Sequence, residues 1–514
     1  MNETETFFLG SIILYLGVAG GSLFLRFLWQ MLAGGQFTVL TRLSYRLAVN
    51  ILLGGVLVYI VFFSVFSVVR YNLLVPAMYD MGNMEQAIWN TAHGDIVRMT
   101  TQYPATSRLH YHTEPIFLLL APFYSFWPDG RLLLIIQTVV MALGAIPVFF
   151  IARHKLSSNL AALALGLAYL LYPALHQANV VDFHPLALGT TFILAGFYFF
   201  LRQRTMPSYI FFLLAISSRE EYAAMVLLIG LYAAVWCRQR RFGVLLFLSG
   251  LAWLLLVVAV IFPSFSPTGS IMQLNLYDYL RQVRFSAGEM LPRLNYLLFL
   301  FAPVVFMPVF SLLLFGVGLL GFVTIILRPE LSLLAGVMHN HVSLVAPVFL
   351  ATIFGIIWLS RRLRQPEQKV TLFSLAVCLA SLATVIILQF TPLGYWQNLR
   401  SPFSPSQRQA IQQIAAAVPS DASVMVPSAL GTRFANRRNF YNISAYGQVR
   451  ADYVIVFDHL QNDCPAWAIG SYSCRDRSAE YRARLATLQA DARYRLVRQE
   501  AGIYLFEQKR DRVE

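Results

Sequence analysis

ILLGGVLVYIVFFSVFSVV, residues 51–69, is nineteen positions without a charge, and RYNLLVPAMYDMGNMEQAIWNTAHG, residues 70–94, follows at once. An apolar run of about 20 residues is what a helix needs to cross a hydrocarbon core. Lipid offers the backbone no partners, so such a run must satisfy its own N–H and C=O groups and forms a helix. The second stretch then sets Asp80 and Glu85 within a turn or two of a membrane face. A carboxylate there must be solvated, paired or used.

The rest of the chain repeats the theme. Its 514 residues are 58% hydrophobic and 12% charged, with a mean hydropathy of +0.61; a soluble domain carries roughly 25% charged residues. Apolar runs fall at 7–25, 47–68, 131–151, 157–175, 186–201, 208–218, 222–237, 242–262, 295–309, 311–327, 342–359 and 370–389. These predict a polytopic α-helical membrane protein of about 12 spans. The runs are continuous, which excludes an outer-membrane barrel with its alternating segments. PIFLLLAPFYSFW, 115–127, is too short to span and reads as a re-entrant or interfacial helix. The mixed segment 277–296 reads as an amphipathic helix on the outer surface. The first run follows the acidic start MNETE and is read as a retained span with its N-terminus outside.

A net charge of +14 would suggest nucleic acid only in a soluble protein. Here the distribution decides. One set of connectors holds Arg26, Arg42, Arg46, Arg153, Lys155, Arg202, Arg204, Arg238, Arg240, Arg241, Arg361, Arg362, Arg364 and Lys369 against the single acid Glu367. By the positive-inside rule that set is cytoplasmic, and the acids gather on the outer face. The expected location is the inner (plasma) membrane.

Composition changes near Thr391. The expected division is a transmembrane unit over 1–390 and a soluble extracytoplasmic α/β domain over 395–514. SQRQAIQQIAAAV has helical spacing, and SVMVP, ADYVIVFD, RYRLVRQ and GIYLFEQ are short β-rich runs. Cys464 and Cys474 lie in one polar loop of this domain, and a disulfide between them fits an oxidising compartment. No repeat, Walker loop or CxxC pair occurs, which argues against a nucleotide-driven pump.

The outer connectors concentrate ionisable groups: Asp80, Glu85, His93 and Asp95; then SRLHYHTEP with His110, His112 and Glu114; HQANVVDFHPL with His176, Asp182 and His184; SREEY with Arg219, Glu220 and Glu221; and MHNH with His339 and His341. Ionisable side chains at span ends are by default a functional cavity. Carboxylates and imidazoles offer general bases or metal ligands, and Arg219 offers a fork for phosphate. Asp182 and His184, spaced D-x-H, are the candidate ligands of a divalent metal. His339 and His341 carry the weakest signal of the set.

YDMGNMEQAIWNTAHG, HYHTEPIFLLLAPFYSFWP, AYLLYPALHQANVVDFHPLAL and SREEYAAMVLLIGLYAAV together resemble a family of bacterial and archaeal polytopic membrane proteins that is similar to the GT-C glycosyltransferases. The resemblance is closest over about 70–240. It implies a GT-C-like fold and transfer of a sugar from a polyprenyl-phosphate donor on the outer face, to an acceptor glycan, lipid or protein. It implies roles for Asp80 as the base, Asp182 as a second-loop acid, and Glu220 and Glu221 as the acids of a K-E-D/E motif. Arg219 stands where the family has lysine, and His112 with Pro115 matches H-x-x-P, whereas Glu114 departs from the pattern. The catalytic set is therefore Asp80, Asp182 and Glu220, with Arg219, Glu221, His184, His112 and Glu85 binding substrate and Arg219 expected beside Asp80. A transporter or flippase of a lipid-linked or anionic solute would use the same acids as proton sites.

Overall fold

The computed structural model describes residues 43–267, 287–328, 334, 339–363, 366–389, 394–460 and 478–509. The expected first span at 7–25, the part of the expected surface helix at 277–286, and the Cys464–Cys474 pair lie outside those residues.

The chain is a polytopic helical membrane protein with a small C-terminal α/β unit. Among the described residues, seven helices or joined helix pairs are long and apolar enough to cross a membrane: Tyr45–Asn72, Gly130–Leu156, Asn159–Val180, Arg240–Phe265, Met307–Ile326, His339–Ser360 and Glu367–Gln389. Four shorter apolar helices, Ile116–Phe126, Pro185–Leu201, Thr205–Ser218 and Glu221–Val235, pack among them. Ser44 opens the first by accepting the Leu47 N–H. Arg70 sits in its last turn, where a cation suits the helix dipole. Close packing rests on small residues. A Cβ on Gly230, Gly243 or Gly250 would strike backbone of the facing helix, so Glu221–Val235 and Arg240–Leu256 meet almost backbone to backbone.

The expected span at 295–309 is not one helix. Ala287–Phe301 gives way to a 3-10 turn at Ala302–Val304, and Val305 and Phe306 then take left-handed φ of 52° and 55°. Pro303 and Pro308 bracket the break; each lacks an N–H and clashes with a continuing helix. The short run 115–127 forms the eleven-residue helix Ile116–Phe126.

The connectors after Leu156, Leu201 and Val235 share one end with Tyr45: His154 lies in reach of Arg202, and Lys155 in reach of Cys237 and Arg361. There the Arg153 guanidinium lies 4.2 Å from the Tyr45 ring centroid and donates to Asn159. The opposite end gathers Asp80, Asp182, Arg219 and His339.

The C-terminal unit is built on a five-stranded sheet of order β2-β1-β3-β5-β4. β1 (Val424–Val426) is parallel to β2 (Phe440–Asn442) and β3 (Tyr453–Phe457), and β4 (Tyr494–Glu500) and β5 (Ile503–Gln508) form an antiparallel hairpin beside β3. All four β-rich runs are strands; β2 was not anticipated. The helix Pro405–Ala417 opens with a capping box between Ser404 and Gln407.

This unit is seated on the connector that follows the helix Tyr45–Asn72. Leu74 and Met78 belong to its hydrophobic core, with Val424, Leu430, Phe434 and Phe440. Gln86 donates to Arg438 O at 3.1 Å. Thr100 Oγ1 accepts from Phe440 N–H at 2.9 Å and donates to Phe440 O at 2.8 Å. Tyr124 donates to Asn436 Oδ1 at 2.7 Å, and Asn436 donates to Pro128 O at 2.6 Å.

Candidate functional site

Asp80 rides on one turn of π-helix, Met78–Gly82, between the first span and the helix Asn83–Ala92. Its carboxylate is partly exposed, and its Oδ1 stands 3.4 Å from His184 Nε2. His184 precedes the helix Pro185–Leu201, whose opening proline needs no N–H partner. Gln137 fixes the segment from the side: it accepts the His184 N–H at 2.7 Å and donates to Asp182 O at 3.3 Å. His184 Nδ1 lies 3.1 Å from that same carbonyl. A carbonyl only accepts, so Nδ1 carries the proton, and a neutral ring turns its Nε2 lone pair toward Asp80. Two acceptors facing each other at 3.4 Å call for a cation between them, a proton or a metal ion.

The His339 ring stacks on His184, centroids 3.4 Å apart and planes within 14°. One ligand atom from each of Asp80, His184 and His339 lies within 4.8 Å of the others. A metal-bound histidine characteristically donates its other nitrogen to a carbonyl or carboxylate, as His184 does. These three side chains are the candidate N and O ligands for a divalent cation among the described residues. Of the expected ligand pair, His184 is in this group and Asp182 is not. Asp182 Oδ1 is taken at 2.6 Å by Arg70, both side chains buried, and only the backbone of Asp182 serves His184. Arg70 NH1 also donates to Val181 O.

A second group lies on the same polar end. Glu220, just before the helix Glu221–Val235, accepts from Thr113 N–H at 2.9 Å, and its Oε1 is 2.7 Å from His112 Nδ1. The Arg219 guanidinium bonds His112 Nε2. Arginine only donates, so the proton of His112 is on Nδ1 and goes to Glu220. Burial and the Arg219 charge push His112 down to about 4. Burial raises Glu220, but His112, Arg219 and the Thr113 N–H outweigh it and hold that carboxyl at about 2. Neutral pH therefore finds His112 neutral and Glu220 anionic beside the Arg219 guanidinium. Arg219 is 7% exposed, and its Nε and NH1 have no hydrogen-bond partner among the described residues. The charge of Arg219 acts on His339, which joins this group to the first. Glu221 lies near Ser343 and faces the charges of Arg219 and Arg328.

The structure thus brings Asp80, Asp182, His184, His112, Arg219, Glu220 and Glu221 to one end through a chain of contacts. Arg219, expected beside Asp80, bonds His112, and the direct partner of Asp80 is His184. Glu85 bonds elsewhere: it is buried, bonded at 3.0 Å by the Tyr71 hydroxyl, and burial raises its carboxyl well above the ordinary range. Glu114, odd by the motif, pairs with Arg108 through bonds of 2.8 and 3.3 Å. His176 bonds Tyr395 and packs on Tyr59 and Phe63, and His341 is buried against Tyr296 and Phe299. Arg70, Gln137 and His339 are the residues the sequence reading left out of its site. MHNH hinted at His339; nothing local marks Arg70 or Gln137.

The chain belongs to the family described as predicted membrane protein (DUF2079), which matches residues 70–505. Two solved structures are similar to it, both of ArnT from Cupriavidus metallidurans, one bound to undecaprenyl phosphate and one in the apo state. Each is 13% identical and covers 87% of this chain and 97% of its own, with TM-scores of 0.48 and 0.47. No curated protein matches.

Proposed function

We propose that this family member is a membrane glycosyltransferase that moves a sugar from a polyprenyl-phosphate donor to an acceptor hydroxyl at the outer face of the membrane. The observation that carries the reading is Arg219: a buried guanidinium with two donor nitrogens unspent, at the same polar end as the carboxylate of Asp80. A lipid phosphate is the anion a buried arginine at a span end is suited to bind, and an acceptor hydroxyl needs a base within reach.

In this reading Asp80 accepts the proton of the acceptor hydroxyl. The hydroxyl oxygen bonds to the anomeric carbon as the bond from that carbon to phosphate oxygen breaks. Polyprenyl phosphate departs with the bonding pair and is held by Arg219. Phosphate leaves well without a proton, so the demand on the protein is one base and positive charge at the leaving group. His112 and Glu220 orient Arg219. Asp182 holds Arg70, and its backbone and Gln137 set His184. A divalent cation held by Asp80, His184 and His339 would supply further positive charge. Residues 1–390 would form the transmembrane catalytic unit of a plasma-membrane enzyme, and 395–514 its extracytoplasmic domain.

The test is purified protein in nanodiscs with polyprenyl-phosphate-linked sugars. An enzyme releases free polyprenyl phosphate in the presence of acceptor; a flippase or transporter would leave the sugar–phosphate bond intact. Charged hydrogen bonds are worth about 1.5–3 kcal/mol each, so Arg219→Ala should weaken donor binding about ten- to hundredfold. Donor affinity unchanged in Arg219→Ala would remove the phosphate role.

A further inference from the structure

Met78 and Asp80 are two residues apart on the π-turn, yet they face different parts of the molecule. Met78 is fully buried in the core of the C-terminal unit, and Asn442 of β2 donates to its Sδ at 3.5 Å. Asp80 points to His184 of the membrane unit. The turn is thus a rivet between the two. What bears on it is the short helix Gly431–Phe434, whose first residue lies against the Met78 backbone. A Cβ added to Gly431 would fall inside contact distance of Met78 Cα and N, atoms that cannot swing aside. Its neighbour Thr432 offers its carbonyl to the Tyr71 hydroxyl at 3.4 Å. Gly431 has no left-handed φ, so its need for glycine is the close approach itself and not the backbone conformation.

We propose that Gly431 is a positioning residue for Asp80, and that the C-terminal domain sets the register of the Asp80 turn against His184. The domain then acts on the site through backbone contact, without placing a side chain in it. A partner or acceptor that shifts the Gly431–Phe434 helix would move Asp80 with it. The kinetic consequence rests on the reaction proposed above; the mechanical coupling does not.

Two glycines of this one contact give matched arms. A Cβ on Gly82 would meet Gly431 at 3.4 Å, ordinary van der Waals contact, and Gly82 is helical with φ of −63°. Gly82→Ala should therefore be accepted where Gly431→Ala is not. The measurement is amide hydrogen exchange on the full chain in nanodiscs. In Gly431→Ala, residues 77–83 should exchange at least about tenfold faster, as a locally opened segment does, while β1 and β3 keep their protection. Gly82→Ala should match the wild type at both places. Wild-type exchange at 77–83 in Gly431→Ala would overturn the proposal. If that variant melts β1 and β3 as well, Asn436→Ala decides, because it removes only the bonds to Tyr124 and Pro128. Faster exchange at 77–83 over a protected sheet supports the coupling, and unchanged exchange overturns it. With a transfer assay, Gly431→Ala should lower kcat with little change in donor KM. Loosened exchange in a protein that transfers no sugar would leave the coupling standing and sink the reaction.

Discussion

Nε2 of His184 faces Oδ1 of Asp80 across 3.4 Å, with the His184 proton committed on the other side of the ring to the Asp182 carbonyl. Lone pair and carboxylate so placed repel unless a cation lies between them, and the stacked His339 supplies a third ligand.

The protein should accordingly bind about one divalent cation per chain, zinc and manganese being the probes. Calorimetry on metal-stripped protein should show binding that His339→Ala and His184→Ala each weaken by about 10- to 100-fold or more, the usual cost of disturbing such a shell. Binding should also fall as pH drops through the imidazole range, because protons compete for the nitrogens. Equal affinity in both variants would assign the bound cation elsewhere and leave a shared proton between His184 and Asp80.

Arg70 and Asp182 form an ion pair with both side chains buried. Removing one partner strands the other charge, at about 3–5 kcal/mol, whereas replacing both by apolar residues is often neutral or better. Thermal unfolding in detergent should show Asp182→Asn and Arg70→Met strongly destabilised and the double change Arg70→Met with Asp182→Leu largely restored. Additive losses in the double variant would show that the pair is not the coupled unit.

Stability should fall as the solution is acidified, in two stages. His112 is held at about 4 in the fold, below the ordinary histidine value of about 6.5. Between those values the unfolded chain takes a proton that the folded one refuses, so stability declines as pH drops from about 6.5 toward 4. Glu220, held at about 2, adds a further loss as pH drops from about 4.5. His112→Gln keeps a donor and an acceptor without titrating. Its melting temperature should be flatter than wild type between pH 6.5 and 4, and parallel curves would contradict the neutral histidine.

Much of this was legible in the sequence, for physical reasons that mark its limit. Apolar runs and basic connectors report directly on lipid, so the helical membrane class and the ends of most spans could be read. The β-rich runs around Val424, Tyr453, Tyr494 and Ile503 likewise announced strands. The break at Val305 was missed because hydropathy averages over Pro303 and Pro308. At the site, residues of one connector were easy to group, and YDMG and DFHP marked Asp80, Asp182 and His184. Their pairing was not. Whether Asp182 meets a metal or Arg70 depends on how the helix Tyr45–Asn72 lies beside Pro173–Val180, and no local spacing encodes that. Gly431 and Met78, some 350 residues apart, touch only in the folded chain.

The most direct measurement of the central claim is the fate of Asp80→Asn. This change keeps the shape of the side chain and removes the base. A strain lacking the protein should lose one or more sugar-bearing lipids, polysaccharides or proteins from its envelope, read by mass spectrometry, and the wild-type chain should restore them. With Asp80→Asn present at wild-type level and folded, the expected result is that they stay missing, in keeping with general-base losses of about 10²–10⁴-fold. Full restoration of the same glycosylated species by Asp80→Asn would contradict Asp80 as the base.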